Sequence, residues 1–152
     1  MIDHSQTDHV ELSIAAQPPL LQLARLTAGV VAARADLDLN DVEDLRLAVD
    51  ELCLSLMGPL GTDGRLLLRY GWDAEMIEIS CTLVSDDGSV DGSGDETADP
   101  PERGEISGQA EMLRQELSSQ ILDALVDAHG ETENDGHPQA WLRMRRIRPD
   151  EG

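Results

Sequence analysis

The run MIEISCTL, residues 76–83, alternates Ile77, Ile79, Cys81 and Leu83 with Glu78, Ser80 and Thr82. Successive side chains of a strand point to opposite faces, so a period of two describes a sheet with one apolar and one polar side. Such a sheet needs a covering layer on one face only. Val10, Leu12 and Ile14 alternate with Glu11 and Ser13 in the same way. RLLLRYGW, residues 65–72, reads as a further strand, and the DAE that joins it to MIEISCTL is short enough for a hairpin. AWLRMRRI reads as a closing strand with Leu142 and Met144 inward.

The covering layer comes from segments of helical period. AQPP ends the first strand, and its prolines suit a helix start. From Leu20 to Arg34 the apolar positions Leu20, Leu23, Leu26, Val30 and Val31 recur at helical spacing. A second helix begins with Asn40 or Asp41 as N-cap and an acid-rich first turn. Its core stripe is Val42, Leu45, Val49, Leu52 and Leu56, and GPLGTDG ends it. A third helix is expected from about Gln109 to Ala128, with Met112, Leu113, Leu117, Ile121 and Leu125 inward. Residues 85–107 are rich in Gly, Ser, Asp and Pro and carry eight acids against one arginine, which predicts a flexible acidic loop. HGETENDGHPQ predicts a second polar loop.

The order β-α-α-β-β-loop-α-β implies an α+β two-layer sandwich: a mixed, mostly antiparallel sheet with helices on one face. The expected organisation is a tail over 1–8, one domain over 9–148 and a short tail over 149–152. With no Phe and 2% aromatics, the core must be aliphatic. Cys53 and Cys81 both fall on apolar faces and read as small core residues, and no zinc spacing is present. No run approaches the roughly 20 apolar residues of a membrane span, so no membrane contact and a cytoplasmic location are expected. The net charge of −20 repels phosphates and disfavours direct nucleic-acid binding. It either keeps the chain soluble or draws in a basic protein partner.

DLRLAVDELCLSLMG, residues 44–58, places Glu51 and Ser55 one turn apart, far around the helix from the core stripe. A solvent-facing pair would give this pattern, and so would a site. VEDLRLAVDELC, preceded by VELSIAAQPPLLQLARLTAGVVAA and followed later by LSSQILDALVDA and WLRMRRI, resembles the GHKL (Bergerat-fold) ATPases. More narrowly it is similar to the RsbW-type anti-sigma factor kinases, in their actinobacterial branch. The resemblance runs from about Val10 to Arg148.

That resemblance implies a role for Glu51 as the general base that orients water or the attacking hydroxyl. Ser55 stands where the family has the asparagine that holds Mg²⁺ against the triphosphate of ATP. Serine lacks the amide carbonyl and reaches the ion only through water. Asp86-Asp87-Gly88-Ser89-Val90 stands for the family's Asp-x-Gly-x-Gly adenine box, with Asp86 and Gly88 kept and Val90 in place of the second glycine. Leu83 is the alternative alignment for the aspartate. Gly104 and Gly108 are the candidates for the glycine-rich lid. The resemblance further implies a homodimer formed through the first helix, with Leu20, Leu23 and Arg25 as partner-interface candidates. Arg25 also reads simply as a surface cation offsetting nearby acids. Two functions stand side by side: an anti-sigma factor that sequesters a sigma factor until an anti-anti-sigma (STAS-domain) protein releases it, or an active serine/threonine kinase that phosphorylates that antagonist.

Overall fold

Five strands and three helices carry the fold in the computed structural model, which describes residues 8–85 and 101–146, with side chains from 108 onward in the last helix. β1 (Asp8–Ala15) leads through a short 3-10 turn (Pro18–Leu20) into α1 (Leu21–Arg34) and α2 (Leu39–Met57). β2 (Arg65–Trp72) and β3 (Met76–Val84) follow, then α3 (Pro101–Leu125), β4 (Ala128–Asn134) and β5 (His137–Arg145). The strands lie in the order β1-β2-β3-β5-β4, and every ladder is antiparallel. Two helices between β1 and β2 carry the chain out and back, so β2 starts beside the end of β1. One helix joins β3 to β4, which therefore run in the same direction. The β4–β5 hairpin inserts β5 between them, so the expected mixed sheet has no parallel ladder.

One sheet face is apolar and covered by the helices. Ile14, Leu66, Leu68, Tyr70, Ile77, Ile79, Cys81, Leu142 and Met144 are buried on it. The opposite face shows Glu11, Arg69, Glu78 and Arg143 to solvent, with ion pairs Arg69–Glu11 at 2.8 Å and Arg143–Glu78 at 3.3 Å across neighbouring strands. Cys53 of α2 and Cys81 of β3 are free and buried with their sulfurs 3.9 Å apart. The contact with Cys81 and burial both push the Cys53 thiol up, which leaves it an inert packing group.

α2 keeps its expected stripe: Leu45, Val49 and Leu52 are buried, with Val42 and Leu56 packed against the core. Its N-cap is Asp38, whose Oδ1 accepts from the Asp41 amide at 2.9 Å. Asn40 and Asp41 lie inside the helix instead. Gly58, at φ +82°, ends it. Asp38→Ala should lower stability by about 1 kcal/mol, measurable by urea titration.

α1 turns a different face inward than its bulky residues suggest. Leu21, Ala24, Ala28, Val31 and Ala32 are buried, while Leu23, Leu26 and Val30 are exposed. The small residues let α1 lie close to the sheet, where the Tyr70 hydroxyl donates to the Ala24 carbonyl at 2.9 Å. α3 departs further. Its described inward positions are Ser118 and Leu122, with Leu125 half-buried, and Met112, Leu113, Leu117 and Ile121 face solvent. The helix also starts earlier, at Pro101, so residues 101–107 are helical rather than part of the acidic loop. Proline suits a first helical turn because its missing N–H is unpaired there anyway. The expected second polar loop is β4 and its turn: Asp135 and Gly136, at φ +58° and +82°, make the tight reversal into β5.

Candidate functional site

α2 presents Glu51 and Ser55 on the flank that meets α3. Both are half-buried, so the pair is not a solvent-facing one. A Glu51 carboxylate oxygen accepts a hydrogen bond from the Ser118 hydroxyl at 2.8 Å. The Ser55 hydroxyl donates to the Leu52 carbonyl of its own helix, also at 2.8 Å, a local bond that serine commonly makes within helices. Beside them opens a cavity of about 300 Å³ lined by Leu52, Ser55, Ser118, Leu122, His129 and Glu131. His129 is held by Asp123 at 2.7 Å. Ser118 escaped the sequence reading because the inward face of α3 was assigned to its leucines. The usable signal was the pair Ser118-Ser119, weak helix formers in mid-helix next to the apolar Leu117 and Ile121.

A roomier hollow of about 440 Å³ lies on the open sheet face, lined by Arg69, Trp72, Met76, Glu78, Trp141 and Arg143. Its arginines are engaged with Glu11 and Glu78, and the Arg143 guanidinium stacks 4.9 Å from the Trp141 ring centre.

The cavity by Glu51 suits a Mg²⁺-triphosphate poorly. The Glu51 carboxylate and Glu131 bring negative charge, and among the described residues no lysine or arginine lines the space. Ser55, the candidate metal ligand, spends its proton on a backbone carbonyl and offers one hydroxyl oxygen where a hard cation needs several oxygens. Among the described residues, no three His, Cys, Asp or Glu side chains cluster in a way that could hold a metal ion. Asp86 and Gly88, the adenine-box candidates, lie outside the described residues. Leu83 sits half-buried at the end of β3 and has no polar atom on its side chain with which to read a base. Gly104 and Gly108 are helical residues of α3, not a phosphate-cradling loop. The structure therefore brings Glu51 and Ser55 together with Ser118, and places the lid-glycine candidates within α3.

The three candidates for a partner surface lie on and before α1. Leu20 is half-buried and packs against the core, and Leu23 is 44% exposed. The Arg25 guanidinium pairs with Asp50 of α2 at 2.9 Å while remaining partly open to solvent. Its first role is thus to tie α1 to α2.

No family model matches the chain. It is 31% identical over 87 residues to the serine-protein kinase RsbW of Bacillus velezensis, covering 55% of this chain and 52% of that protein. It is 37% identical over 86 residues to the anti-sigma-F factor RsbW of Mycobacterium tuberculosis, covering 55% and 51%. The RsbW of Bacillus subtilis matches at 29% over 87 residues, 55% and 52%. The chain spans about half the length of the curated relatives it matches. Over the half that aligns, the chain is similar to these RsbW proteins, and its α+β layering is compatible with that similarity.

Proposed function

We propose that this chain is a cytoplasmic anti-sigma factor that sequesters an alternative sigma factor and gives it up to an anti-anti-sigma, STAS-domain partner. The relatives named anti-sigma-F factor and serine-protein kinase supply the class. The observation that carries the choice within it is the state of Glu51: its carboxylate is engaged by Ser118 beside a cavity that no described lysine or arginine lines. That arrangement supports a protein-binding role over phosphoryl transfer, which depends on positioned charge neutralisation around the phosphates. Leu20, Leu23 and Arg25 form the proposed partner surface, used by the sigma factor and by a second copy of the chain in a homodimer. An exposed leucine beside an arginine is a suitable composition for such a contact.

Calorimetric titration with Mg-ATP tests the choice. The expected result is no saturable heat up to millimolar nucleotide, with sigma-factor binding intact in the same buffer. Tight nucleotide binding would move the reading to an active kinase. In that case Glu51→Ala should abolish phosphate transfer to the anti-anti-sigma protein while sparing sigma-factor binding. At the partner surface, Arg25→Glu should weaken the sigma-factor complex by about tenfold or more, as expected when a half-exposed interface cation is reversed. Because the same change frees Asp50, Asp50→Ala is the control: it breaks the internal pair and should leave the complex within a few-fold.

A further inference from the structure

α3 carries large apolar side chains that the fold does not use. Leu113, Leu117 and Ile121 are 58%, 52% and 42% exposed, although they repeat every fourth residue as a packing face does. Ala110 and Ala124 are exposed on the same side of the helix and extend the apolar face at both ends without adding bulk. Side chains spaced at i, i+4 and i+8 form a ridge about 12 Å long. Such a ridge fits the groove between the ridges of another helix. Its described charged neighbours are mostly acidic. Glu116 lies one residue before Leu117 and has no ion pair among the described residues, Asp123 is bonded to His129, and the helix's described arginine, Arg114, is already bound to Glu111 at 2.6 Å. Two copies laid along this helix would bring the acids of its face against their own equivalents, whereas a basic helix would meet them with opposite charge.

From the apolar ridge and its acidic setting we infer that the Leu113–Leu117–Ile121 face of α3 is a docking surface for a basic amphipathic helix of a partner protein. The leucines of such a helix would cover the ridge, and its lysines or arginines would meet Glu116 and the acids beyond, a helix-on-groove mode of recognition. This surface is separate from the proposed one at Leu20, Leu23 and Arg25, and the inference stands whether or not the partner is a sigma factor.

The test uses the full chain and two fluorescent peptides of roughly 18 residues, about five helical turns. Both have the same leucine and lysine content. In one the leucines share a helical face, and in the other their order is scrambled. Anisotropy titrations should show the amphipathic peptide binding at least about tenfold more tightly than the scrambled one. Leu113→Gln/Leu117→Gln/Ile121→Gln changes no charge. It should erase that preference while keeping the weak, salt-sensitive binding common to both peptides. The three side chains are solvent-exposed, and circular dichroism of the variant checks that α3 still forms. Leu23→Gln/Leu26→Gln/Val30→Gln, which alters the exposed face of α1 in the same way, should leave the preference intact. Equal binding of the two peptides by the unaltered chain would overturn the inference, as would a preference that survives the α3 changes or disappears with the α1 changes. Sedimentation showing a dimer that the α3 changes dissociate would assign the ridge to a second copy instead, and would also overturn it.

Discussion

Association with the proposed sigma-factor partner is expected to slow by about tenfold to a thousandfold between low and physiological salt. The chain has 31 acidic against 11 basic side chains. Sigma factors present basic surfaces to promoter DNA, so an acidic partner both meets and occludes the charge that DNA would meet. Near 0.01 M salt the Debye length is about 30 Å, comparable with the width of a small domain, and the whole field steers the encounter. At 0.15 M it is about 8 Å, and only charges near the contact act. The off-rate should change much less, because short-range packing holds the complex once it has formed. Stopped-flow mixing across a salt series measures both rates. A flat on-rate would mean that the acidic surface serves solubility alone.

How much of this was legible beforehand depended on whether a segment's pattern and its burial had the same cause. β2 and β3 were readable because their alternation is imposed by one covered face: Ile77, Ile79 and Cys81 are buried and Glu78 is not. The stripe of α2 was readable because that helix packs centrally, against the sheet and between α1 and α3. β4 was hidden because it is an edge strand with residues half-buried or exposed along its length, so AHGETEN carries no alternation to detect. The Asp135-Gly136 turn beside it was the available sign.

The inward faces of α1 and α3 were not legible for one shared reason. Period and hydrophobicity locate an apolar stripe, yet they do not say whether the stripe meets this chain's core or another molecule. In α1 the alanines won the inward side because close approach to Tyr70 needs small residues. In α3 the inward side includes Ser118, which satisfies Glu51. A half-buried carboxylate is better off hydrogen-bonded, so that hydroxyl has a structural reason to face in. For the candidate site, the spacing of Glu51 and Ser55 pointed to one helix flank. The bond that defines its state comes from a residue 67 positions away, beyond the reach of local spacing.

Tyr70→Ala is expected to be the most damaging single change to stability, at about 3–5 kcal/mol. Tyr70 is fully buried in β2 and is the largest completely covered side chain of a core otherwise built from aliphatic residues and cysteine. Its hydroxyl reaches the Ala24 carbonyl of α1, so the ring is packed between β2 and that helix, and a close-packed interior collapses only partly into the void. Small domains are stable by about 5–15 kcal/mol in total, so the variant should lie near the folding threshold. Tyr70→Phe separates the ring from the hydroxyl. It keeps the packing and loses the bond to the Ala24 carbonyl, which costs about 1 kcal/mol. The two variants also differ in pH response. Burial, the largest cause, raises the Tyr70 phenol above its ordinary value, so the folded chain holds this proton after the unfolded chain has released it. The unfolded state then binds fewer protons, and stability falls as pH rises past about 10. Urea midpoints measured from pH 8 to pH 11 should therefore decline more steeply for the unaltered chain than for Tyr70→Phe. Parallel declines would show that the phenol ionises as easily in the folded chain as in the unfolded one.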